Sequence, residues 1–264
     1  MNNKKLPIGV FDSGIGGLSV VKRLQEQLPH EDILYLGDTK RNPYGNRSRK
    51  EIIQFSMEMA KYLEAAAVKA GVIACNTITC TAFDEIEKEM SYPLVGMSRG
   101  LQAASACSRN KRIAVLATPA TIGSHSHKIL CADMFPQVQI IEVSCPSLAG
   151  LIEEGHADAA LEEAVREGIG QAVGQEADTA ILGCTHYPFV LDVMKKTAPA
   201  LAFVDPGTET AGQAAAVLES GHLLTDKQTA GTVRILLTDG IARGENAAKQ
   251  MLRPGTYTIE EVRL

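Results

Sequence analysis

The sequence predicts an α/β fold built on parallel sheets, and three observations carry that prediction. Short apolar runs recur along the whole chain, they are continuous rather than alternating, and most are separated by stretches long enough for a helix. A strand covered on both faces reads as an unbroken apolar run, and strand followed by helix, repeated, supplies the covering helices.

Taken in order, PIGVFD (7–12) is the first such run, and it ends on Asp12 and Ser13. DILYLG (32–37) follows and leads into Asp38 and Thr39, and GVIAC (71–75) leads into Asn76 and Thr77. PLVGM (93–97) comes next, then RIAVLAT (112–118), which closes on Thr118 with Thr121 just beyond. QIIEV (139–143), TAILGC (179–184) with Thr185 and His186 after it, AFVD (202–205) and VRILLT (233–238) complete the series.

In such folds ligands bind beyond the carboxyl ends of the strands, where loops enter helix N-termini. Here those ends are polar, small or reactive. Any one Asp, Ser, Asn or Thr there reads as a helix N-cap. Five polar strand ends in one chain, two of them with a cysteine, read instead as a site.

Composition bounds the rest. A chain of 264 residues has room for two compact domains. With 45% hydrophobic and 22% charged residues, it is neither disordered nor membrane-embedded. No segment reaches the roughly 18 apolar residues of a spanning helix, and the N-terminal stretch lacks an apolar signal core, so cytoplasmic residence is expected. A net charge of −5 and no basic block interleaved with aromatics exclude nucleic acid as the primary partner. The cysteines, at 75, 80, 107, 131, 145 and 184, show neither a C-x-x-C pair nor zinc spacing, so no metal is expected. Disulfides are not expected in a reducing compartment. Cys107, Cys131 and Cys145 read as small buried hydrophobes, and Cys80 as core on the helix after Cys75.

Cys75 and Cys184 stand apart because each ends a strand. A helix N-terminus lowers a thiol's pKa, which makes a partly exposed strand-end cysteine a candidate base or nucleophile. A nucleophile needs one thiol. Two thiols on opposite sides of a substrate suit a reaction in which one removes a proton and the other returns one from the far face, as in racemisation or epimerisation. An amino-acid α-proton is only weakly acidic, so such bases need orientation and groups that stabilise the carboxylate as charge builds on it. Asn76, Thr77, Thr185 and helix N-terminal N–H groups can supply that support. Asp12 and His186 become the proton-handling partners of the two thiols.

The segments GVFDSGIGGLSV (9–20), YLGDTKRNPYGNRS (35–48), VIACNTITC (72–80) and AILGCTHYP (180–188) together resemble, in order, the motifs of the glutamate racemase family. The resemblance implies two pseudo-symmetric α/β domains, each a mostly parallel sheet flanked by helices, with the active site in the cleft between them. It implies cofactor-independent interconversion of L- and D-glutamate for peptidoglycan. It implies boundaries that leave 1–97 plus 208–264 in the first domain and 98–207 in the second. By position, Cys75 takes the proton from D-glutamate and Cys184 from L-glutamate, with Asp12, His186 and Glu153 as supporting acid and base groups. Substrate contacts carry over to Ser13, Pro43, Tyr44, Gly45, Asn76, Thr77, Thr118, Thr121 and Thr185. Homodimers are common in the family, and the resemblance implies one here. The chain starts a few residues before its first strand, so the N-terminal extension some members use for activation is not expected.

The pattern departs from the family at Asn42, where an apolar residue or cysteine usually precedes P-Y-G, and at Ile78, where alanine is usual. Arg99 stands about where a proline is common and reads as a solvated arginine at a helix start. His125 and His127 read as helix-surface residues. Competing readings are a relative acting on aspartate or another amino acid, a decarboxylase, which needs only one of the thiols, and a binding protein that keeps the fold without catalysis. A pyridoxal-phosphate racemase is disfavoured, because this chain shows no lysine placed at a strand end to hold the cofactor and the two cysteines would need a separate explanation.

Overall fold

The computed structural model describes residues 3–264. Ten strands and eleven α-helices alternate along them. In chain order they are β1 (Ile8–Asp12), α1 (Leu18–Gln27), β2 (Ile33–Gly37), α2 (Arg49–Ala65), β3 (Ala70–Ile73), α3 (Asn76–Glu89), β4 (Leu94–Val95) and α4 (Leu101–Cys107). Then come β5 (Arg112–Ala117), α5 (Pro119–Gly123), α6 (Ser126–Met134), β6 (Gln139–Ser144), α7 (Leu148–Glu153), α8 (Ala159–Gly174) and β7 (Thr179–Gly183). The chain closes with α9 (Leu191–Thr197), β8 (Ala202–Val204), α10 (Gly207–Ser220), β9 (Val233–Leu237), α11 (Ile241–Met251) and β10 (Tyr257–Glu261).

The strands form two parallel sheets. One has six strands in the order β10-β9-β2-β1-β3-β4, the other four in the order β6-β5-β7-β8. Helices cover both faces of the larger sheet, so successive side chains of one strand enter opposite cores. Ile8 and Val10 pack with α1, α10 and α11, whereas Phe11 of the same strand packs with α2 and α3. Both directions being apolar is why β1 reads as a continuous run.

All nine strands expected from the sequence are present, with ends shifted by at most two residues. The tenth, β10, was not expected. It is an edge strand, paired on one side only with β9, and its Glu260 and Glu261 are exposed while Tyr257 and Ile259 lie against the core. A half-wet edge strand carries too few apolar residues to form a run.

Four other expectations are corrected. Cys107 is exposed at the last turn of α4, where no helix covers it. His127 is buried, not on the helix surface, and burial, aided by Arg99, pushes its pKa down to about 3. Arg99 is half-buried and bridges two segments, donating to the Met97 carbonyl at 2.6 Å and to Ser126 Oγ at 2.7 Å. Cys80 is half-buried and lines a cavity of about 610 Å³ beside the crossover at 96–99. Among the described residues no helix is long and apolar enough to cross a membrane.

Candidate active site

The carboxyl ends of β1, β3, β5 and β7 meet between the two sheets. Ser13, Asn42, Pro43, Tyr44, Gly45, Cys75, Asn76, Thr77, Thr118, Ala149, Cys184, Thr185 and His186 line the space there. Its cavity volume is about 10 Å³, at most the room for one water molecule. Of the residues picked out from the sequence, Asp12, Glu153 and Thr121 do not line this space but stand directly behind those that do.

On the six-stranded side, Cys75 is the N-cap residue of α3 and is almost fully buried. Its thiol lies 3.7 Å from Ser13 Oγ. Burial, reinforced by the Asp12 carboxylate, pushes this thiol well above its ordinary value, against the Ile78 N–H and the Ser13 hydroxyl, which favour the thiolate. The expectation that the helix N-terminus would lower it is therefore corrected. The desolvation cost of a buried charge outweighs a few aligned N–H groups. Asp12 ends β1, fully buried, and accepts from the Ser13 N–H at 2.6 Å, from the Gly17 N–H and from Thr185 Oγ1 at 3.2 Å. Burial raises its pKa, His186 lowers it and Glu153 raises it, with a net upward shift.

On the four-stranded side, Cys184 follows β7, and His186 Nδ1 stands 3.7 Å from its Sγ. The other ring nitrogen, Nε2, lies 2.6 Å from Glu153 Oε2, which also accepts the Ile15 N–H at 3.0 Å. Burial works to depress the His186 pKa, but Cys184 and Glu153 outweigh it and hold the ring well above its ordinary value. Thiol, imidazole and carboxylate thus form a line, with the carboxylate fixing which ring nitrogen carries a proton.

The hydroxyls gather at one wall. Thr77 Oγ1 is 2.9 Å from Thr118 Oγ1 and 3.4 Å from Thr121 Oγ1, which ties the two halves of the site together. Asn76 stands buried beside them with neither side-chain nitrogen nor oxygen hydrogen-bonded. The Pro43-Tyr44-Gly45 turn is held from behind by the Tyr44 hydroxyl donating to Asp38, while burial, then that carboxylate, raises the tyrosine's pKa.

Two lining residues, Asn42, whose identity is unusual for its position, and Ala149, are not among the candidates that the sequence motifs single out. Ala149 is findable: it lies one helical turn before Glu153, so both face the same way on α7. Among the described residues no group of three or more His, Cys, Asp or Glu side chains is arranged to hold a metal ion.

The chain resembles known proteins over nearly its full length. A sequence profile described as Asp/Glu/Hydantoin racemase matches residues 8–214. A glutamate racemase of Listeria innocua is 34% identical over 263 residues, 98% of this chain and 99% of its own. A glutamate racemase isoform of Bacillus anthracis superposes with a TM-score of 0.90 at 31% identity, covering 99% of this chain and 98% of its own. A Francisella tularensis glutamate racemase, solved in complex with D-glutamate, superposes with a TM-score of 0.84 at 32% identity, covering 98% of both chains. Sequence profile, identity and architecture agree, and the chain belongs to the Asp/Glu/hydantoin racemase family, with glutamate racemases as its relatives.

Proposed function

We propose that this protein interconverts L- and D-glutamate by proton exchange at Cα between two thiols, without a cofactor, and so supplies D-glutamate for peptidoglycan. One observation carries the reading. Cys75 and Cys184, from the ends of strands in different sheets, line one space, with Asp12 acting on the first thiol and His186 beside the second.

Starting from D-glutamate, the Cys75 thiolate removes the Cα proton and the bonding pair moves onto the α-carboxylate. The Cys184 S–H then gives its proton to the opposite face, which yields L-glutamate, Cys75 as thiol and Cys184 as thiolate. From L-glutamate the same steps run backwards, with His186 and Glu153 managing the Cys184 proton and Asp12 that of Cys75. Asn76, Thr77 and Thr118 donate to the carboxylate as its charge grows, with Thr185, Ser13 and the Pro43-Tyr44-Gly45 turn as further contacts and Thr121 positioning Thr118. The unspent hydrogen-bonding capacity of buried Asn76 supports this, because buried polar atoms rarely go unpaired without a ligand to meet.

A space of about 10 Å³ does not admit glutamate, so the two halves part before substrate binds. We take the halves to be 1–97 plus 208–264 and 98–207. In support, β4 ends the larger sheet, α4 packs on β7 and β8, and α10 packs back on α1. Working thiols need a reducing compartment, which goes with cytoplasmic residence. A second copy of the chain is the proposed partner, supported by Ile129, Leu130 and Met134 standing exposed together on α6, and sedimentation velocity of the purified protein reads this directly.

The closed space also favours a second reading, a non-catalytic relative. Reduced protein incubated with L-glutamate in deuterium oxide separates the two. The expected product is D-glutamate bearing one solvent deuterium at Cα, and Cys75→Ala and Cys184→Ala each cut turnover on the order of 10³-fold. No deuterated product from L-glutamate, nor from L-aspartate in parallel, establishes the second reading instead, and product from aspartate alone reassigns the substrate.

A further inference from the structure

Asn42 touches the Cys75 half of the site through a chain of three groups. Its side-chain Nδ2 donates to the Ser13 carbonyl at 3.1 Å and to Ser13 Oγ at 3.4 Å. Ser13 Oγ in turn donates to Asp12 Oδ1 at 3.2 Å and lies 3.7 Å from Cys75 Sγ. A hydroxyl has one proton to give, here with two candidate acceptors, the Asp12 carboxylate and a Cys75 thiolate. A hydrogen bond received at Oγ polarises the hydroxyl and makes its O–H the stronger donor. The bond to the Ser13 carbonyl meanwhile fixes the backbone from which that hydroxyl reaches the sulfur.

No other side chain in the turn offers this donor. Pro43 has no N–H, and the Tyr44 hydroxyl is committed to Asp38. Across the loop, Asn42 Nδ2 and Glu153 Oε2 both crowd the point where a β-carbon on Gly14 would stand, so the amide fills the gap between the two half-sites.

We infer that Asn42 is a positioning residue, which orients and polarises the Ser13 hydroxyl so that it stabilises the thiolate of Cys75. Besides Ser13 and the Ile78 N–H, the titratable groups acting on that thiol are Asp12 from β1, Tyr35 from β2, Tyr44 from the turn at 44–46 and Cys184 after β7. A substitution at 42 alters none of them. The inference rests on the reading of Cys75 as a base, and one of its tests needs no turnover.

The test compares wild type with Asn42→Leu and Asn42→Ala, both without the donor, and Asn42→Gln, which retains an amide. The pH midpoint of Cys75 alkylation by iodoacetamide, read by peptide mass spectrometry, is expected to rise by about half a unit or more in the first two and to stay near wild type in the third. Because the equilibrium between enantiomers is unity, kcat/KM is the same in both directions, and any asymmetry appears in kcat. The kcat with D-glutamate is expected to fall about fivefold in Asn42→Leu, more than with L-glutamate. A midpoint that does not move in a folded donor-less variant overturns the inference, as does an equal fall in both directions. A moved midpoint in a protein that racemises nothing leaves the positioning role standing and removes the functional reading instead.

Discussion

The charge state of the site is decided residue by residue. His186 is buried, which alone would hold it neutral, yet Cys184 and Glu153 raise its pKa well above the ordinary histidine value. A histidine whose folded pKa is raised contributes stability that is fully present below the free value of about 6.5 and is lost as pH rises through the folded value. Glu153→Gln removes the carboxylate that holds the ring. Urea unfolding at several pH values is expected to show wild type losing stability between neutral and alkaline pH, and the variant losing less. The same variant is expected to lower kcat with L-glutamate on the order of 10²-fold, because the proton-handling partner of Cys184 is then unanchored. Equal pH slopes for the two proteins would show that the ring is neutral in the fold.

Between β1 and α1 the loop works by close approach. Gly14, Gly16 and Gly17 stand where a side chain would collide with Glu153, His186 and the Asp12 β-carbon respectively. Gly16 faces both His186 and Thr185, so the first unit presses backbone, not side chains, against the second. Gly16→Ala is therefore expected to hold the two halves apart or turn the imidazole away from Cys184. Racemisation should fall on the order of 10²-fold with a wild-type circular dichroism spectrum, since a displacement of about 1 Å at a catalytic group costs that much. Activity within twofold of wild type would mean that the loop yields at no cost. The glycine run is visible in the sequence, but its partners are not, since His186 lies 170 residues further along the chain.

For the molecule as a whole, the question is how substrate enters a shut space. At the site the halves meet through small polar contacts: Thr77 with Thr118 and Thr121, Ile15 with Glu153, Thr185 with Asp12, and Ser19 Oγ with the Thr185 carbonyl at 2.9 Å, while Arg23 with Asp205 and Gln250 with the Phe189 carbonyl add contacts away from it. Interfaces of this kind allow domain motion. Hydrogen exchange at residues 13–17 and 118–121 is expected to be measurable in the free protein and to slow several-fold when D-glutamate is added, while the central strands β1 and β5 stay protected throughout. Ligand-independent exchange in both loops would show that closure does not depend on substrate.

By itself the sequence determined nine of the ten strands, their succession along the chain and the chemistry at their ends. Buried parallel strands need unbroken apolar runs, and the strand-end residues are their immediate neighbours in the chain. It also marked Cys75 and Cys184 as a pair, through repeated local patterns. What only the tertiary structure decided depends on neighbours in space. The approach of Glu153 to His186, the reach of Asn42 to Ser13, the burial of His127 and the edge pairing of β10 all join residues remote in the chain. So does the upward shift of the Cys75 thiol, because a pKa follows the solvent and charges around a group, and those are set only when the two sheets close on each other.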